Sequence, residues 1–268
     1  MKFRLACVQF RSALGDLEHN FAQVADWCSR AAAENVAVVV FPECCLTGYC
    51  RPRQMAELAR PFSGELRERA AEIAQKHKIM FTLGMPEKEG ECNYNALMAI
   101  GANGELLARY RKMHLWAAEC KWAQPGNEYV TFQTALAHFG LWLCYDTRFP
   151  EVGRIHALAG VEVALVASAW RSSHVEEWRL CARARAIDNG IFVAGSDALL
   201  DADHFQCAGG SIIAGPEGSV WASAVKGKEE MIIVEIDTKI IASRREDLPL
   251  LQHRRPELYK SLLADKSP

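Results

Sequence analysis

The chain has 268 residues, 50% of them hydrophobic and 24% charged, which suffices for a large core and excludes an intrinsically disordered protein. Its formal net charge of −2 shows no excess of basic residues and argues against nucleic acid and anionic membranes as partners. The apolar stretch within residues 1–10 is too short for a signal peptide or a membrane span, so we expect a cytoplasmic protein.

Ten cysteines are spread along the chain, and none forms a C-x-x-C pair. Without a secretory signal we expect them to be reduced and mostly buried as small hydrophobic residues. Cys44, Cys45 and Cys50 lie close together, but a zinc site there would need a fourth ligand from a distant segment. We therefore predict no metal and no cofactor, and keep a thiol redox or metal-binding protein as a rival interpretation.

The first half of the chain alternates strand-like and helix-like segments. Residues 3–10 predict a strand, and Asp16 is placed to cap a helix that runs to about Glu34. Residues 36–41 are apolar throughout, which is typical of a central strand covered on both faces. Ser63 precedes a second amphipathic helix. Three further strands are predicted at 79–85, 95–100 and 106–110.

The second half repeats this order of elements. A strand, a helix and an apolar strand are predicted at 140–145, 150–160 and 161–168. Ser173 and Glu176 then have the spacing of a capping box, and the helix that they open is expected to reach Asp188 and stop at Gly190. Four more strands are predicted at 191–196, 209–215, 219–224 and 231–237.

Both halves therefore have the order β-α-β-α-β followed by hairpin strands, which favours an internal pseudo-symmetry. Two such α/β halves can pack sheet on sheet as an αββα four-layer sandwich of mixed sheets, with helices on the outer faces. No linker rich in Gly, Pro or Ser divides the chain, so we predict a single domain over residues 1–268. Residues 239–268 are expected to form a C-terminal arm that packs against another surface, such as a second subunit.

Three reactive side chains stand where predicted strands end. Glu43 follows Pro42, and Lys112 stands at the end of the strand-like segment that begins at 106. Cys144 precedes a polar turn and a helix. Because Cys144 comes just before helical N–H groups, we expect its thiolate form to be favoured. Each residue alone is more often a packing or rim residue, but together they supply a base, a cation and a nucleophile.

Several motifs resemble those of the nitrilase superfamily of carbon–nitrogen hydrolases. They are, in chain order, FPE at 41–43 with TGY at 47–49, YRKMHL at 110–115, a glutamate before WAQPG at 122–126, and CYDTRFPE at 144–151. The similarity covers nearly the whole chain. It implies the αββα sandwich, a homodimer joined through helical faces, and a Glu43-Lys112-Cys144 triad. It also implies that a second glutamate, Glu119, orients Lys112 or the substrate nitrogen.

The residues after the cysteine favour an amide as the substrate. Tyr145 and Asp146 follow it, whereas true nitrilases tend to have Trp-Glu there, so the resemblance points to ω-amidases and related small-amide hydrolases. An N-carbamoyl hydrolase with the same triad is the alternative, and a nitrilase is less favoured. A non-catalytic interaction protein on the same fold is a rival of a different class. Glu177-Trp178 and the SAW segment at 168–170 depart from ω-amidases, so the acyl group stays open.

Two groups after the nucleophile are predicted to contact the substrate. The backbone N–H of Tyr145 is expected to share the oxyanion with Lys112. Arg148 is a candidate to bind a substrate carboxylate, although an ion pair with Glu151 or Asp146 is the favoured interpretation.

Three aromatic residues are candidates for the walls of the site. Tyr49 and Trp122 are proposed by the resemblance, and Trp170 by its place at the same sheet edge as the nucleophile. Core packing is the alternative for each of them. A papain-like pair of the cysteine with His114 or His138 is the rival mechanism, although neither histidine stands at the end of a predicted strand.

Overall fold

In the computed structural model, residues 1–263 are described and form two six-stranded mixed sheets packed face to face. The first sheet has the order β14-β1-β2-β3-β4-β5, with the ranges Glu230–Asp237, Lys2–Gln9, Val36–Val40, Met80–Glu89, Cys92–Ile100 and Leu106–Arg111. The second has the order β13-β12-β9-β8-β7-β6, with the ranges Val220–Ser223, Ile212–Ala214, Phe192–Asp197, Val163–Ser168, His138–Leu143 and Val130–Gln133. A separate hairpin pairs β10, Leu199–Ala202, with β11, Phe205–Ala208.

Helices cover the outer faces of the two sheets. The ranges of α1 to α6 are Leu17–Ala33, Pro52–Leu58, Gly64–His77, Pro150–Leu158, Val175–Asn189 and Lys239–Asp247. Short 3₁₀ turns lie at Ala117–Lys121, Cys144–Arg148, Ser172–His174 and Pro256–Leu263. Helices α1 and α3 pack on the first sheet, and α4 and α5 pack on the second. The predicted αββα sandwich is therefore confirmed.

The side chains of β1 alternate between two apolar cores, one on each face of the first sheet. Leu5 and Cys7 face the second sheet, whereas Ala6 and Val8 face the helical layer of α1 and α3. The rings of Phe3 and Phe139 meet across the sheets at 6.1 Å. Because successive side chains of a strand point to opposite faces, an all-apolar strand is required wherever both faces are covered. Within residues 1–263, no helix combines the length and the apolar character needed to cross a bilayer.

Each sheet contains three adjacent parallel strands flanked by antiparallel ones, namely β1-β2-β3 in the first and β7-β8-β9 in the second. This equivalence agrees with the predicted pseudo-symmetry. The middle strands β2 and β8 end at the same edge of the sandwich, where the Glu43 N–H donates to the Ser168 carbonyl across 3.3 Å. The carboxyl ends of both sheets therefore meet at one place.

The structure differs from the local predictions in several places. The capping box is wrong, because Ser173 lies in a 3₁₀ turn and α5 begins at Val175 without a side-chain cap. The strand predicted at 140–145 ends at Leu143, so Cys144 begins a turn. The short helices α2 and α6 were not anticipated.

The first part of the predicted C-terminal arm packs against the body of the same chain. Ile241 of α6 is buried in the core between the sheets, and Arg245 donates to the Val161 carbonyl at 3.1 Å. Beyond this helix the described segment carries exposed Leu258 and Leu262. Residues 264–268 of the arm lie outside the described residues.

Candidate active site

The carboxylate of Glu43 is presented by a tight turn after β2. Pro42 ends the strand, and Cys44 has a positive φ of 52°, a strained conformation for a residue with a side chain. Gly84 of β3 makes room for this turn, since a Cβ there would lie 2.7 Å from the Cys44 nitrogen and 2.9 Å from the Pro42 oxygen. A glycine is therefore required beneath the turn that carries Glu43.

Gly84→Ala is expected to lower the free energy of unfolding by about 1–3 kcal/mol, because the added Cβ overpacks fixed backbone atoms. Chemical denaturation measures this loss. Gly90→Ala is the matched control in the β3–β4 turn, where φ is 58° and an added Cβ meets nothing within 4 Å. Its cost should be limited to about 1–2 kcal/mol of left-handed strain. Equal losses in the two variants, with no change in the reactivity of Cys144 toward an alkylating reagent, would contradict this role of Gly84.

Lys112 lies between two carboxylates in the interior. Its Nζ is 2.8 Å from Glu43 Oε1 and 2.8 Å from Glu119 Oε1, and all three side chains are at most 1% exposed. Asn95 of β4 completes the arrangement, because its Nδ2 donates to Glu43 Oε1 at 2.7 Å and to Glu119 Oε1 at 2.8 Å. The side-chain oxygen of Asn95, Oδ1, accepts from the Cys44 thiol, whose sulfur lies 3.6 Å away. Every buried charge in this network has at least one partner of opposite charge.

The backbone holds these groups in register. The main-chain N–H of Lys112 donates to the main-chain carbonyl of Asn95 at 2.8 Å. Lys112, which follows β5, is therefore hydrogen-bonded to β4. Glu43 Oε2 accepts the Ala169 N–H at 2.9 Å, and Glu119 Oε2 accepts the Trp116 N–H at 2.5 Å. Each carboxylate is thus fixed at both oxygens, which limits its freedom to rotate.

Burial sets the protonation chemistry of the cluster. It raises the pKa of Glu43 above its ordinary value, with Lys112 opposing and Glu119 adding to this effect. Burial by itself would lower the pKa of Lys112, but Glu119 and Glu43 together raise it well above its usual value. Lys112 therefore stays a cation, and Glu43 becomes a stronger base than an exposed glutamate.

Cys144 begins the 3₁₀ turn at the end of β7, with a positive φ of 42°. Its thiol is buried, and burial followed by the charge of Glu43 raises its pKa well above the ordinary value, with Lys112 opposing. The predicted preference for a thiolate is therefore wrong. A five-residue 3₁₀ turn has too few aligned N–H groups to offset burial, so the thiol needs a base.

Asp146 fixes the turn that carries Cys144. Its Oδ2 accepts the Tyr110 hydroxyl at 2.6 Å and the Leu143 N–H at 3.1 Å. Its Oδ1 accepts the His114 N–H at 2.9 Å and lies 2.7 Å from His114 Nδ1. One buried carboxylate thus joins the Cys144 turn to the segment that follows Lys112.

These groups open into one cavity of about 200 Å³. The lining residues are Glu43, Tyr49, Lys112, Trp116, Cys144, Tyr145, Arg148, Ala169, Trp170, Arg171, His174 and Phe205. Tyr49, Tyr145 and Trp170, which were candidates from the sequence, are among these lining residues. Five of these twelve residues are Phe, Tyr or Trp, and the ring centroids lie 5.1 Å apart for Tyr49 and Phe205 and 5.7 Å apart for Trp116 and Phe205. A small molecule with an apolar portion fits such a cavity.

Two predictions about the cavity are corrected. Trp122 packs in a separate apolar cluster with Cys44, Cys50 and Met55 and does not line the cavity, because the turn after the Glu119 segment directs it toward α2. Arg148 does line the cavity, but its ion-pair partner is Glu177 of α5, and its guanidinium lies 4.9 Å from the Trp170 ring. Neither of the predicted carboxylate partners of Arg148 is used.

The predicted rival site residues lie elsewhere. His114 stacks on Phe149 at 3.6 Å and contacts Asp146, and neither it nor His138 lines the cavity. Cys44 and Cys50 pack together as predicted for small hydrophobic residues, and Cys45 is buried in the core under α1. Among residues 1–263, no group of three His, Cys, Asp or Glu side chains is arranged to hold a metal ion.

Sequence reasoning missed several residues of the site. Asn95 is a buried polar residue directly before the apolar run 96–100 of β4, which is a signal that could have identified it. Arg171 and His174 enter from one turn, and Trp116 and Phe205 enter from two other segments. Their convergence depends on how the loops cross the sheet edge, and local patterns do not reveal it.

Comparison with known proteins agrees with the fold. The family model described as "Carbon-nitrogen hydrolase" matches residues 4–246. A probable nitrilase of Schizosaccharomyces pombe is 32% identical over 273 residues, covering 98% of this chain and 100% of that protein. Human omega-amidase NIT2 is 32% identical over 270 residues, covering 96% of each. The crystal structure of Saccharomyces cerevisiae Nit3, a member of branch 10 of the nitrilase superfamily, has a TM-score of 0.86 at 29% identity and covers 95% of this chain and 97% of that one.

These matches confirm the resemblance that the strand-end motifs indicated. They run through both sheets and every segment of the cavity, so the likeness is not confined to one motif. The relatives align over nearly their full lengths. The chain therefore belongs to the carbon-nitrogen hydrolase family, whose members in the nitrilase superfamily hydrolyse non-peptide C–N bonds of small molecules.

Proposed function

We propose that this protein hydrolyses the C–N bond of a small aliphatic amide to a carboxylic acid and ammonia, with Cys144 as the nucleophile. The observation that carries the proposal is the buried Lys112 ammonium held between Glu43 and Glu119 beside the Cys144 thiol in one small cavity. A nucleophile, a base and a cation in one desolvated site are what a covalent acyl-transfer route requires.

The acylation step uses the base and the oxyanion donors. Cys144 Sγ forms a bond to the amide carbon while its proton passes to Glu43. Lys112 and the backbone N–H of Tyr145 stabilise the oxyanion, since N–H groups in the first turn of a helix lack intrahelical partners. The C–N bond then breaks as Glu43 returns the proton to nitrogen, which releases ammonia and leaves a thioester.

The deacylation step reuses the same groups. Glu43 accepts a proton from water as the water oxygen attacks the thioester carbon. Collapse of this second oxyanion breaks the C–S bond, releases the acid and returns a proton to the thiolate of Cys144. The raised pKa of Glu43 supports this role, because a base is most effective when its pKa approaches the working pH.

Glu119 serves as a positioning residue in this scheme. It contacts Lys112 and Asn95 but is held away from the cavity lining. Its charge, together with that of Glu43, keeps Lys112 protonated. Lys112 can then present a cation to the oxyanion without losing its proton to Glu43.

The choice of bond is tested by ammonia release from an amide, an N-carbamoyl compound and a nitrile with the same carbon skeleton. The amide is expected to have the highest kcat/KM, by at least about tenfold. Intact-protein mass spectrometry should show an acyl group on Cys144 during turnover. Faster ammonia release from the N-carbamoyl compound or from the nitrile would identify that compound class, and not the amide, as the substrate. The absence of product from all three compounds would reject the proposal.

The rim of the cavity favours an amide that carries a carboxylate at its far end. Arg148 is already paired with Glu177, whereas Arg171 forms no ion pair within residues 1–263. The Arg171 guanidinium lies 4.8 Å from the Trp116 ring and 5.6 Å from the Phe205 ring, and both rings line the cavity. A substrate carboxylate would meet an available, planar, bidentate donor there.

Arg171→Gln is expected to lower kcat/KM at least about tenfold for the monoamide of a short dicarboxylic acid, because it removes the charged hydrogen bonds to the carboxylate. The comparison substrate is the amide in which an isopropyl group replaces that carboxylate, and its kcat/KM should change little. Arg148→Gln is the matched control. Equal losses of kcat/KM on both substrates in Arg171→Gln would show that Arg171 does not bind the substrate carboxylate.

The expected homodimer also stays a proposal. Exposed apolar side chains on the outer helical face support it, namely Ile155 and Leu158 of α4 with Leu180 and Ile187 of α5. A second copy packed on this face would remove them from water, in agreement with the predicted contact through helices.

A further inference from the structure

A second buried acid lies behind the cavity wall. Asp197 ends β9, next to β8, and its side chain is fully buried. Its Oδ1 accepts the Trp170 N–H at 2.8 Å. Asp197 does not line the cavity, and the reaction scheme above does not use it.

The peptide between Ala169 and Trp170 connects this acid to the base. The Ala169 N–H donates to Glu43 Oε2 at 2.9 Å, and the next N–H along the chain donates to Asp197. The Ser168 carbonyl accepts the Glu43 N–H at 3.3 Å and the Ala198 N–H at 3.0 Å. A change at Asp197 is therefore transmitted to Glu43 through one short stretch of backbone.

Hydrogen bonding alone does not explain why an acid occupies this position. Asp197 Oδ2 and Ser168 Oγ are both buried in adjacent register positions and have no other hydrogen-bond partner among the described residues, and the Ser168 hydroxyl partly offsets the effect of burial on the pKa of Asp197. Asparagine would accept the Trp170 N–H equally well and would offer a donor toward Ser168. Retaining a buried, partly unsatisfied carboxylate costs stability, so the charge itself calls for a reason.

The charge of Asp197 acts on the neighbouring titratable groups. Burial raises the pKa of Asp197 to about 7, and Glu43 adds to this effect. Burial raises the pKa of Cys207 of β11, and Asp197 adds to that effect. Asp197 thus interacts with one titratable group from the turn after β2 and one from β11. Because charge interactions are mutual, ionised Asp197 also makes Glu43 hold its proton more tightly.

We propose that Asp197 is a positioning residue for the base Glu43, acting through the Ala169–Trp170 peptide, and that its charge tunes proton transfer between Cys144 and Glu43. The inference rests on the proposed role of Glu43 as the base. It adds a carboxylate outside the triad to the set of groups that determine the pH dependence of the reaction.

Asp197→Asn keeps the acceptor for Trp170 and removes the charge. The pH profile of kcat/KM is expected to move down by about half a pH unit near and above pH 7, where Asp197 is ionised in the unaltered protein and its loss removes a negative charge near Glu43. Asp197→Ala removes the acceptor as well, and its kcat should fall at least about tenfold, with the Asn variant restoring much of the loss. Asp201→Asn, at an exposed position of β10, is the control and should leave the profile unchanged.

A second readout needs no substrate. The rate at which iodoacetamide alkylates Cys144, identified by peptide mass spectrometry, is measured against pH in the same variants. Its profile should also move to lower pH in Asp197→Asn. A shifted alkylation profile without turnover of any amide would reject the proposed function but support this inference. Unshifted profiles in Asp197→Asn, or full kcat in Asp197→Ala, would overturn the inference even if amides are hydrolysed.

Discussion

Cys144→Ala is expected to abolish C–N hydrolysis while the protein remains folded. The variant loses the only atom that can form the thioester, so kcat should fall by at least about 10⁴-fold, as when a covalent nucleophile is removed from other hydrolases. The fold should survive, because the substitution removes only the sulfur atom. Alanine adopts the same positive φ that cysteine already has at this position. Ammonia release measures activity, and circular dichroism with thermal denaturation verifies the fold.

Cys120→Ala is the matched control for that result. Cys120 is exposed in the turn that carries Glu119, and its thiol has no place in the cavity. This variant should keep its activity. A folded Cys144→Ala protein with more than about a tenth of the original kcat would exclude the covalent route.

The main groups of the site could be predicted because they stand at strand ends. Glu43 and Cys144 each follow an apolar run, and parallel strands bring their carboxyl ends to one edge. The order of the strands could not be predicted in detail, since pairing β14 with β1 joins segments more than 200 residues apart. Such long-range pairing leaves no local signal beyond the apolar pattern itself.

Residues that act through contacts between elements were harder to identify. Asn95 bridges two acids that precede and follow it by 52 and 24 positions. The resemblance suggests a place for Trp122 in the cavity, yet the chain turns at that point and buries it against α2. A shared motif predicts an element well and predicts the direction of a side chain in a turn poorly.

The buried charges of the site depend on each other. Burial alone would lower the pKa of Lys112 and favour its neutral form, and burial raises the pKa of Glu43 and favours the protonated acid. The amide of Asn95 shares the two carboxylates with Lys112 without adding charge. Stability and reactivity therefore rest on the same four side chains, and removing the one cation should affect both.

Lys112→Met is expected to lose activity and stability together. Loss of the charged oxyanion donor should lower kcat by at least about 10²–10³-fold. Two buried carboxylates are then left without their cation, which should lower the free energy of unfolding by about 3–5 kcal/mol and Tm by about 10 °C. Lys121→Met, at an exposed position in the same segment, is the control and should change neither quantity.

The pH dependence of that loss separates buried charge from lost packing. In Lys112→Met the pKa of Glu43 should rise further, because burial already raises it and the opposing cation is gone. Between the unfolded value of about 4.3 and this raised value, the folded state binds more protons than the unfolded state, so stability falls as the pH rises. The difference in Tm from the unaltered protein should therefore be largest near neutral pH and shrink toward pH values of about 5, where protonation removes the uncompensated charge. A difference in Tm that is the same at all pH values would assign the loss to packing and contradict the ionised cluster described for this site.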